Sequence, residues 1–250
     1  MYNEVTMEYF LETVETVPSG LGFSHYSLTH LIWLALGVAF ATICCVLYRN
    51  GSDTRRNKLK KLLAALVVAD ELFKMAGLTL GGNYTVDYLP LHLCSINIIL
   101  IAIHVFKPTQ LLDNFLYVVC IPGAVAALLF PTWTSLPVLN FMHLHSFTVH
   151  ILLAVYPLML TVGGDIRPKL KVMPKLLFML VAMSIPIYGV NLLLDTNYMF
   201  LMYADPGNPL YLFEQMWGNH LYGFPVLITA VLVVMYTPIV LLRKKAVKTP

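Results

Sequence analysis

The sequence predicts an all-α fold, a polytopic membrane bundle of seven transmembrane helices, and three observations predict it. Of the 250 residues, 58% are hydrophobic and only 12% are charged. The mean hydropathy is correspondingly high, at +0.74. The apolar residues also fall into seven stretches, each close to the ~20 residues that a helix needs to cross a bilayer. Because a soluble domain carries about twice this charged fraction, a soluble enzyme, a nucleic-acid-binding module and a disordered chain are excluded.

The elements are predicted in order along a single membrane domain, residues 1–250. Residues 1–24 contain four glutamates but no lysine or arginine, which differs from the basic start of a signal peptide. We expect this segment to lie on the outer surface. The seven spans are predicted at about 28–48, 62–82, 89–106, 111–131, 143–164, 176–197 and 222–242.

Basic residues predict the orientation of the bundle. The first, third and fifth connections and the C-terminal tail carry lysine and arginine, whereas the N-terminal segment and the second, fourth and sixth connections carry none. Cytoplasmic loops are the ones enriched in lysine and arginine, so the pattern predicts an N-out, C-in topology. We therefore expect a multi-pass integral membrane protein, located in the plasma membrane if the protein is bacterial.

Three of the spans carry polar residues on one helical face. The faces are Cys94, Asn97 and His104 in the third span, His143, Ser146 and His150 in the fifth, and Ser184, Tyr188, Asn191 and Asp195 in the sixth. A strongly polar group in hydrocarbon costs several kcal/mol, so each such face requires partners or has a function.

The orientation places three of these polar groups at a similar depth. At ~1.5 Å per residue, Cys94, His150 and Asn191 each lie roughly 7–10 Å below the outer end of their spans. A thiol beside an imidazole is the minimum for an activated nucleophile, because the base can generate the thiolate. Spacing alone is equally consistent with an alternative in which Cys94 is an inert buried cysteine and His150 is a core histidine. The other cysteines, Cys44, Cys45 and Cys120, have no polar stripe around them and are predicted to be packing residues.

The second span is unusual because it contains Asp70, Glu71 and Lys74. Asp70 and Lys74 are four residues apart, so we predict that they pair within the helix, with Glu71 bonded across the bundle. A place for Glu71 in a polar cavity or in proton movement is the alternative.

Several motifs carry a family resemblance. The third span begins Leu89-Pro-Leu-His92-Leu-Cys94-Ser95, the fifth contains Phe147-x-x-His150, and Asn191 is followed by Thr196-Asn-Tyr-Met-Phe-Leu201. Over essentially the whole chain, these residues resemble the YwaF-like bacterial membrane proteins, relatives of the eukaryotic transmembrane protein 164 family of acyltransferases. The resemblance implies a lipid acyltransferase in which Cys94 is the nucleophile and His150 its base. Its partners would be membrane lipids, an acyl donor and a lyso-lipid acceptor.

Other polar residues are candidates for supporting roles. Ser95, Asn97 and Asn191 are candidates for binding an oxyanion or orienting His150. Further cavity or supporting candidates are His92, Glu71, Asp70, Lys74 and Asp195. We expect no soluble cofactor and no nucleic-acid partner, and no metal, because the histidines lack an HExxH-like pairing. The sequence does not specify an oligomeric state.

Three other functions fit parts of the sequence. A transporter or channel would use a polar path along Asp70, Glu71, Lys74, Asn97 and His104, although no internal repeat of the transporter kind is visible. A lipid hydrolase of the same architecture would use water as the acceptor. A seven-span receptor is the third; retinal binding is disfavoured because 222–242 contains no lysine for a Schiff base.

Overall fold

The structure, a computed structural model, describes the backbone of residues 7–204 and 208–248 and the side chains as far as residue 240. Residues 1–6 of the predicted outer segment, residues 205–207 of the longest outer connection and the basic side chains of the C-terminal tail lie outside the described residues. Within the described ranges the chain is all-helical and contains no strand. The predicted all-α fold is confirmed.

The α-helices are joined by short connections. They are α1 Leu28–Arg49, α2 Asp53–Leu80, α3 Leu93–Phe106, α4 Gln110–Phe115, α5 Ile121–Leu129, α6 Phe141–Val162, α7 Met173–Leu194, α8 Pro209–Trp217 and α9 Gly223–Lys248. A π-helical turn, Leu116–Cys120, joins α4 and α5 into one continuous segment. Most of these helices agree with the predicted spans to within a few residues.

Six helical segments of the described chain are long and apolar enough to cross a membrane. They are Leu28–Arg49, Val86–Phe106, Gln110–Leu129, Phe141–Val162, Leu170–Leu194 and His220–Val240. The predicted span at 62–82 lies in α2, which has 28 residues and is therefore about 42 Å long. Its length suffices, but Asp70, Glu71 and Lys74 interrupt its apolar surface. The protein is a multi-pass membrane protein, with six clearly apolar spans where seven were predicted.

Helix α6 forms the centre of the bundle. In its most apolar stretch 78% of the residues are buried, against 11% for α1, and it packs against α1, α2, α3 and α5. A close approach to α2 is possible because residue 77 is glycine: a Cβ there would lie 2.2 Å from the Phe141 ring. Side chains on the inner face of α6 therefore lie in the interior of the bundle.

Residue Asn140 organises the end of the bundle at which α6 begins. Its Oδ1 accepts hydrogen bonds from the backbone of Met142 and His143, which caps the helix. Its Nδ2 donates to the carbonyls of Tyr9 and Glu12, at 2.8 and 2.7 Å. The described part of the N-terminal segment is thus fixed across this end of the bundle.

The predicted orientation can be tested with reporters at the two termini. We expect a cytoplasm-dependent reporter fused after Lys248 to be active, and a tag placed before Tyr2 to react with a membrane-impermeant reagent in intact cells. The physical reason is retention of the lysine- and arginine-rich connections in the cytoplasm. Detection of both termini on one side of the membrane would contradict an odd number of crossings.

Candidate active site

The first turn of α3 and the middle of α6 bring Cys94 and His150 into contact. The Cys94 Sγ lies 3.2 Å from the His150 Nε2, although the two residues are 56 positions apart in the chain. Both side chains are partly buried, where α3 packs against α6. We call these two residues the Cys–His pair.

A second contact determines which nitrogen of His150 carries the hydrogen. The Nδ1 atom lies 2.6 Å from the backbone carbonyl oxygen of Ser146. A carbonyl can only accept, so Nδ1 carries the hydrogen and donates it. In the neutral ring Nε2 is then unprotonated, and it accepts the hydrogen bond of the Cys94 thiol. This is the arrangement that a general base requires.

The helix position of Cys94 also suits a thiolate. Helix α3 begins at Leu93, so Cys94 is its second residue, and the His92 side chain makes no capping hydrogen bond. The N–H groups of a first turn have no partner within the helix, and the positive end of the helix dipole favours negative charge. An anion on Sγ, or on the oxygen of a carbonyl carbon that Sγ has attacked, is stabilised by this end of α3.

Trp133, in the connection between α5 and α6, covers the imidazole. Its ring stacks on His150 with centroids 5.4 Å apart and an angle of 7° between the planes. The side chain is buried, with 7% of its surface exposed, yet its Nε1 has no hydrogen-bond partner among the described residues. A buried unpaired donor of this kind costs about 1–3 kcal/mol.

The charged residues of α2 pair differently from the prediction. Lys74 lies 2.5 Å from Glu71, while Asp70 accepts a 2.8 Å hydrogen bond from Thr148 on α6 and lies 3.0 Å from the Nδ1 of His145. The predicted Asp70–Lys74 pair is wrong, and Asp70 rather than Glu71 bonds across the bundle. The physical reason is that Asp70 faces the donors of α6, which leaves Glu71 as the partner of Lys74.

The three oxyanion candidates occupy different environments. Ser95 lines a groove between α2 and α3 together with Glu71. Asn97 is buried one turn below Cys94, and its Oδ1 has no hydrogen-bond partner among the described residues. Asn191 is also buried, but its amide oxygen is used elsewhere: Oδ1 accepts from the Thr196 hydroxyl and from the backbone N–H of Tyr198.

Asn191 holds a covering segment, residues 196–201, over the start of α3. Its Nδ2 donates to the Tyr198 carbonyl at 3.0 Å, and the Tyr198 ring packs edge-on against His92, with centroids 5.2 Å apart. Met199 and Phe200 have positive φ angles of 58° and 55°, a strained conformation that persists where the surroundings enforce it. His92 thus supports this segment, and Asp195, exposed at the end of α7, lies outside it.

His104 is part of a separate buried cluster. Its Nε2 lies 2.9 Å from the Asp113 carboxylate and its Nδ1 3.0 Å from the Tyr156 hydroxyl. A carboxylate only accepts, so Nε2–H donates to Asp113 and Tyr156 donates to Nδ1. The cluster ties α3, α4 and α6 together. The ionisable groups of the hypothetical polar path, Asp70, Glu71, Lys74 and His104, therefore each have a polar partner.

The fold and the Cys–His pair define the class: a multi-pass α-helical membrane protein with a partly buried thiol–imidazole contact at the start of α3. The TMEM164 family model matches residues 25–236, most of the chain, and the chain therefore belongs to the TMEM164 family. This finding confirms the resemblance to the transmembrane protein 164 family. Comparisons with curated proteins and with solved structures find no match.

Proposed function

We propose that this protein is a membrane lipid acyltransferase that carries the acyl chain on Cys94. The observation that supports the proposal most strongly is the 3.2 Å contact between Sγ and the unprotonated Nε2 of His150, whose tautomer is determined by the Ser146 carbonyl. A packing cysteine does not need a base, and a core histidine does not need to face a thiol. The acyltransferase activity implied by the family resemblance is consistent with this chemistry.

The first half-reaction acylates the cysteine. His150 Nε2 takes the thiol proton, and Sγ attacks the carbonyl carbon of a phospholipid acyl ester. The π electron pair of the carbonyl moves onto its oxygen, giving a tetrahedral oxyanion. Collapse restores the carbonyl and breaks the bond to the lipid alkoxide, which takes the proton from His150. The products are an acyl thioester on Cys94 and a lyso-lipid.

The second half-reaction repeats these steps in reverse with another acceptor. The hydroxyl of a lyso-lipid gives its proton to His150 and attacks the thioester carbonyl. Collapse of the second oxyanion breaks the carbon–sulfur bond, and His150 returns the proton to Sγ. Water at the acceptor position would make the same pair a hydrolase.

A groove along α3, the helix that carries Cys94, suits the acyl chain of a lipid. The groove between α2 and α3 has a volume of about 630 Å³, and apolar side chains such as Leu72, Ile99 and Phe106 line most of it. Ser95, which also lines it, directly follows Cys94. A lipid that enters sideways from the bilayer can place its chain here, with the ester at the start of α3. In the predicted orientation this end of α3 lies near the outer face of the membrane.

The acyl-enzyme provides the direct test. Purified protein in bilayer discs is mixed with a phospholipid whose acyl chain carries deuterium, and the intact protein and its peptides are weighed. We expect a mass increase of one labelled chain on Cys94 that neutral hydroxylamine removes, because a thioester is labile to that nucleophile. Addition of a lyso-phospholipid should discharge the chain into new phospholipid.

A control variant and the identity of the labelled product give each outcome a meaning. Cys120→Ala, which removes another buried thiol, should retain the adduct on Cys94. Release of the label mainly as free fatty acid, even with lyso-phospholipid present, would identify a hydrolase and overturn transfer. Absence of any adduct together with absence of labelled product would contradict the proposed function altogether.

A further inference from the structure

We infer that the indole N–H of Trp133 donates a hydrogen bond to the oxyanion that forms during acylation and deacylation of Cys94. This inference rests on the proposed function and names a further catalytic residue for it. It begins from the unpaired Nε1 of a side chain that is 93% buried. The contrast with Trp33 is informative, because the Nε1 of Trp33 donates to His143 at 3.0 Å.

The position of Trp133 suits a donor of this kind. Its ring lies parallel to the imidazole of His150, and that imidazole contacts Sγ directly. The indole therefore lies against the imidazole ring that contacts Sγ, next to the group that takes the thiol proton. When the carbonyl π pair moves to oxygen, a preorganised N–H at this place stabilises the new charge without reorganisation.

The other polar side chains near the pair are less suited to bind an anion. The Asn191 amide is committed to the covering segment. Ser95 lines the groove between α2 and α3, and Asn97 lies one turn further along α3 than Cys94. Backbone donors are available in the first turn of α3, which the His92 side chain does not cap. Trp133 adds a buried side-chain donor to these backbone donors.

The experiment compares two reagents that attack the same thiol. Acylation of Cys94 by an activated ester passes through an oxyanion, whereas alkylation by iodoacetamide is a direct displacement that forms none. Trp133→Phe keeps an aromatic ring against His150 and removes only the N–H donor. We expect acylation to fall by roughly 10²–10³-fold while the alkylation rate stays at the wild-type value.

Matched variants make the comparison decisive. Trp33→Phe removes an indole N–H that already has a partner in His143 and should leave the ratio of acylation to alkylation unchanged. If Trp133→Phe folds poorly, Trp133→3-benzothienylalanine preserves the shape and replaces N–H by sulfur, and the same change in ratio is expected. Equal losses with both reagents would show that Trp133 only positions His150, and no loss with either would also overturn the inference.

The outcomes separate this inference from the proposed function. Failure of the proposed function is seen in the wild-type protein, as absence of acyl-Cys94 from a phospholipid. Failure of the inference is seen only in the ratio of the two rates in Trp133→Phe, with the wild-type adduct still formed. Neither result can be mistaken for the other.

Discussion

Replacement of Cys94 by alanine is expected to abolish acyl transfer, a loss on the order of 10⁶-fold as for other enzymes that lose their nucleophile. The reason is that no other sulfur among the described residues is placed against an unprotonated imidazole nitrogen. The Cys120 Sγ, by comparison, donates to the Leu153 carbonyl at 3.2 Å. The measurement is the initial rate of labelled-chain transfer from phospholipid to lyso-phospholipid, at equal amounts of folded protein.

Cys120→Ala is the matched control for this prediction. Cys120 is fully buried, so its truncation should lower the free energy of unfolding by about 1–2 kcal/mol through lost packing and a lost hydrogen bond. Transfer should continue at close to the wild-type rate. Cys44, buried in α1, should behave in the same way. Full activity in Cys94→Ala, or a complete loss confined to Cys120→Ala, would assign the nucleophile elsewhere.

The helical fold was predictable because the bilayer restricts the possible solutions. Backbone groups in hydrocarbon must be bonded within the chain, so apolar stretches of the right length become helices. α2 shows where this reasoning is incomplete. It begins at Asp53 rather than near residue 62, because the basic residues that indicate a cytoplasmic loop are also good helix formers and extend the helix beyond its apolar part.

The contact between Cys94 and His150 was predictable for a geometric reason. In the predicted topology both spans enter the membrane from the same side, so counting residues at a constant rise compares their depths directly. The same count placed Asn191 at the depth of the pair, but depth alone was insufficient to predict a contact. Depth does not specify the direction of a side chain around its helix, and the amide of Asn191 bonds to the covering segment.

Other parts of the site depend on details that periodicity does not contain. Lys74 has two carboxylates within reach along α2, Glu71 three residues before it and Asp70 four residues before it. It pairs with Glu71 because Asp70 lies on the face of α2 that meets α6. Trp133 lies in an irregular connection, so no helical spacing relates it to His150. An aromatic residue in the connection just before the predicted fifth span was the one available signal for it.

His150→Ala is expected to slow acylation of Cys94 by a general-base factor of roughly 10²–10⁴ near neutral pH. An ordinary thiol has a pKa of about 8.5, so little thiolate exists at neutral pH when no base is adjacent. The thiolate fraction rises as the pH passes through that pKa, because hydroxide then ionises the thiol without help. The defect of His150→Ala should therefore shrink steadily at alkaline pH.

The measurement is the rate of Cys94 acylation by an activated ester across this pH range, for wild type and variants at equal folded fraction. His145→Ala is the matched control, since His145 lies on the same helix and its Nδ1 faces Asp70 rather than the thiol. It should lower thermal stability and leave the shape of the pH profile unchanged.

Residues that act as a unit are not additive, so a Cys94→Ala, His150→Ala double variant should transfer acyl chains hardly more slowly than Cys94→Ala. If His150 only packs under Trp133, its removal will instead give a profile parallel to wild type, and the general-base role must then be abandoned.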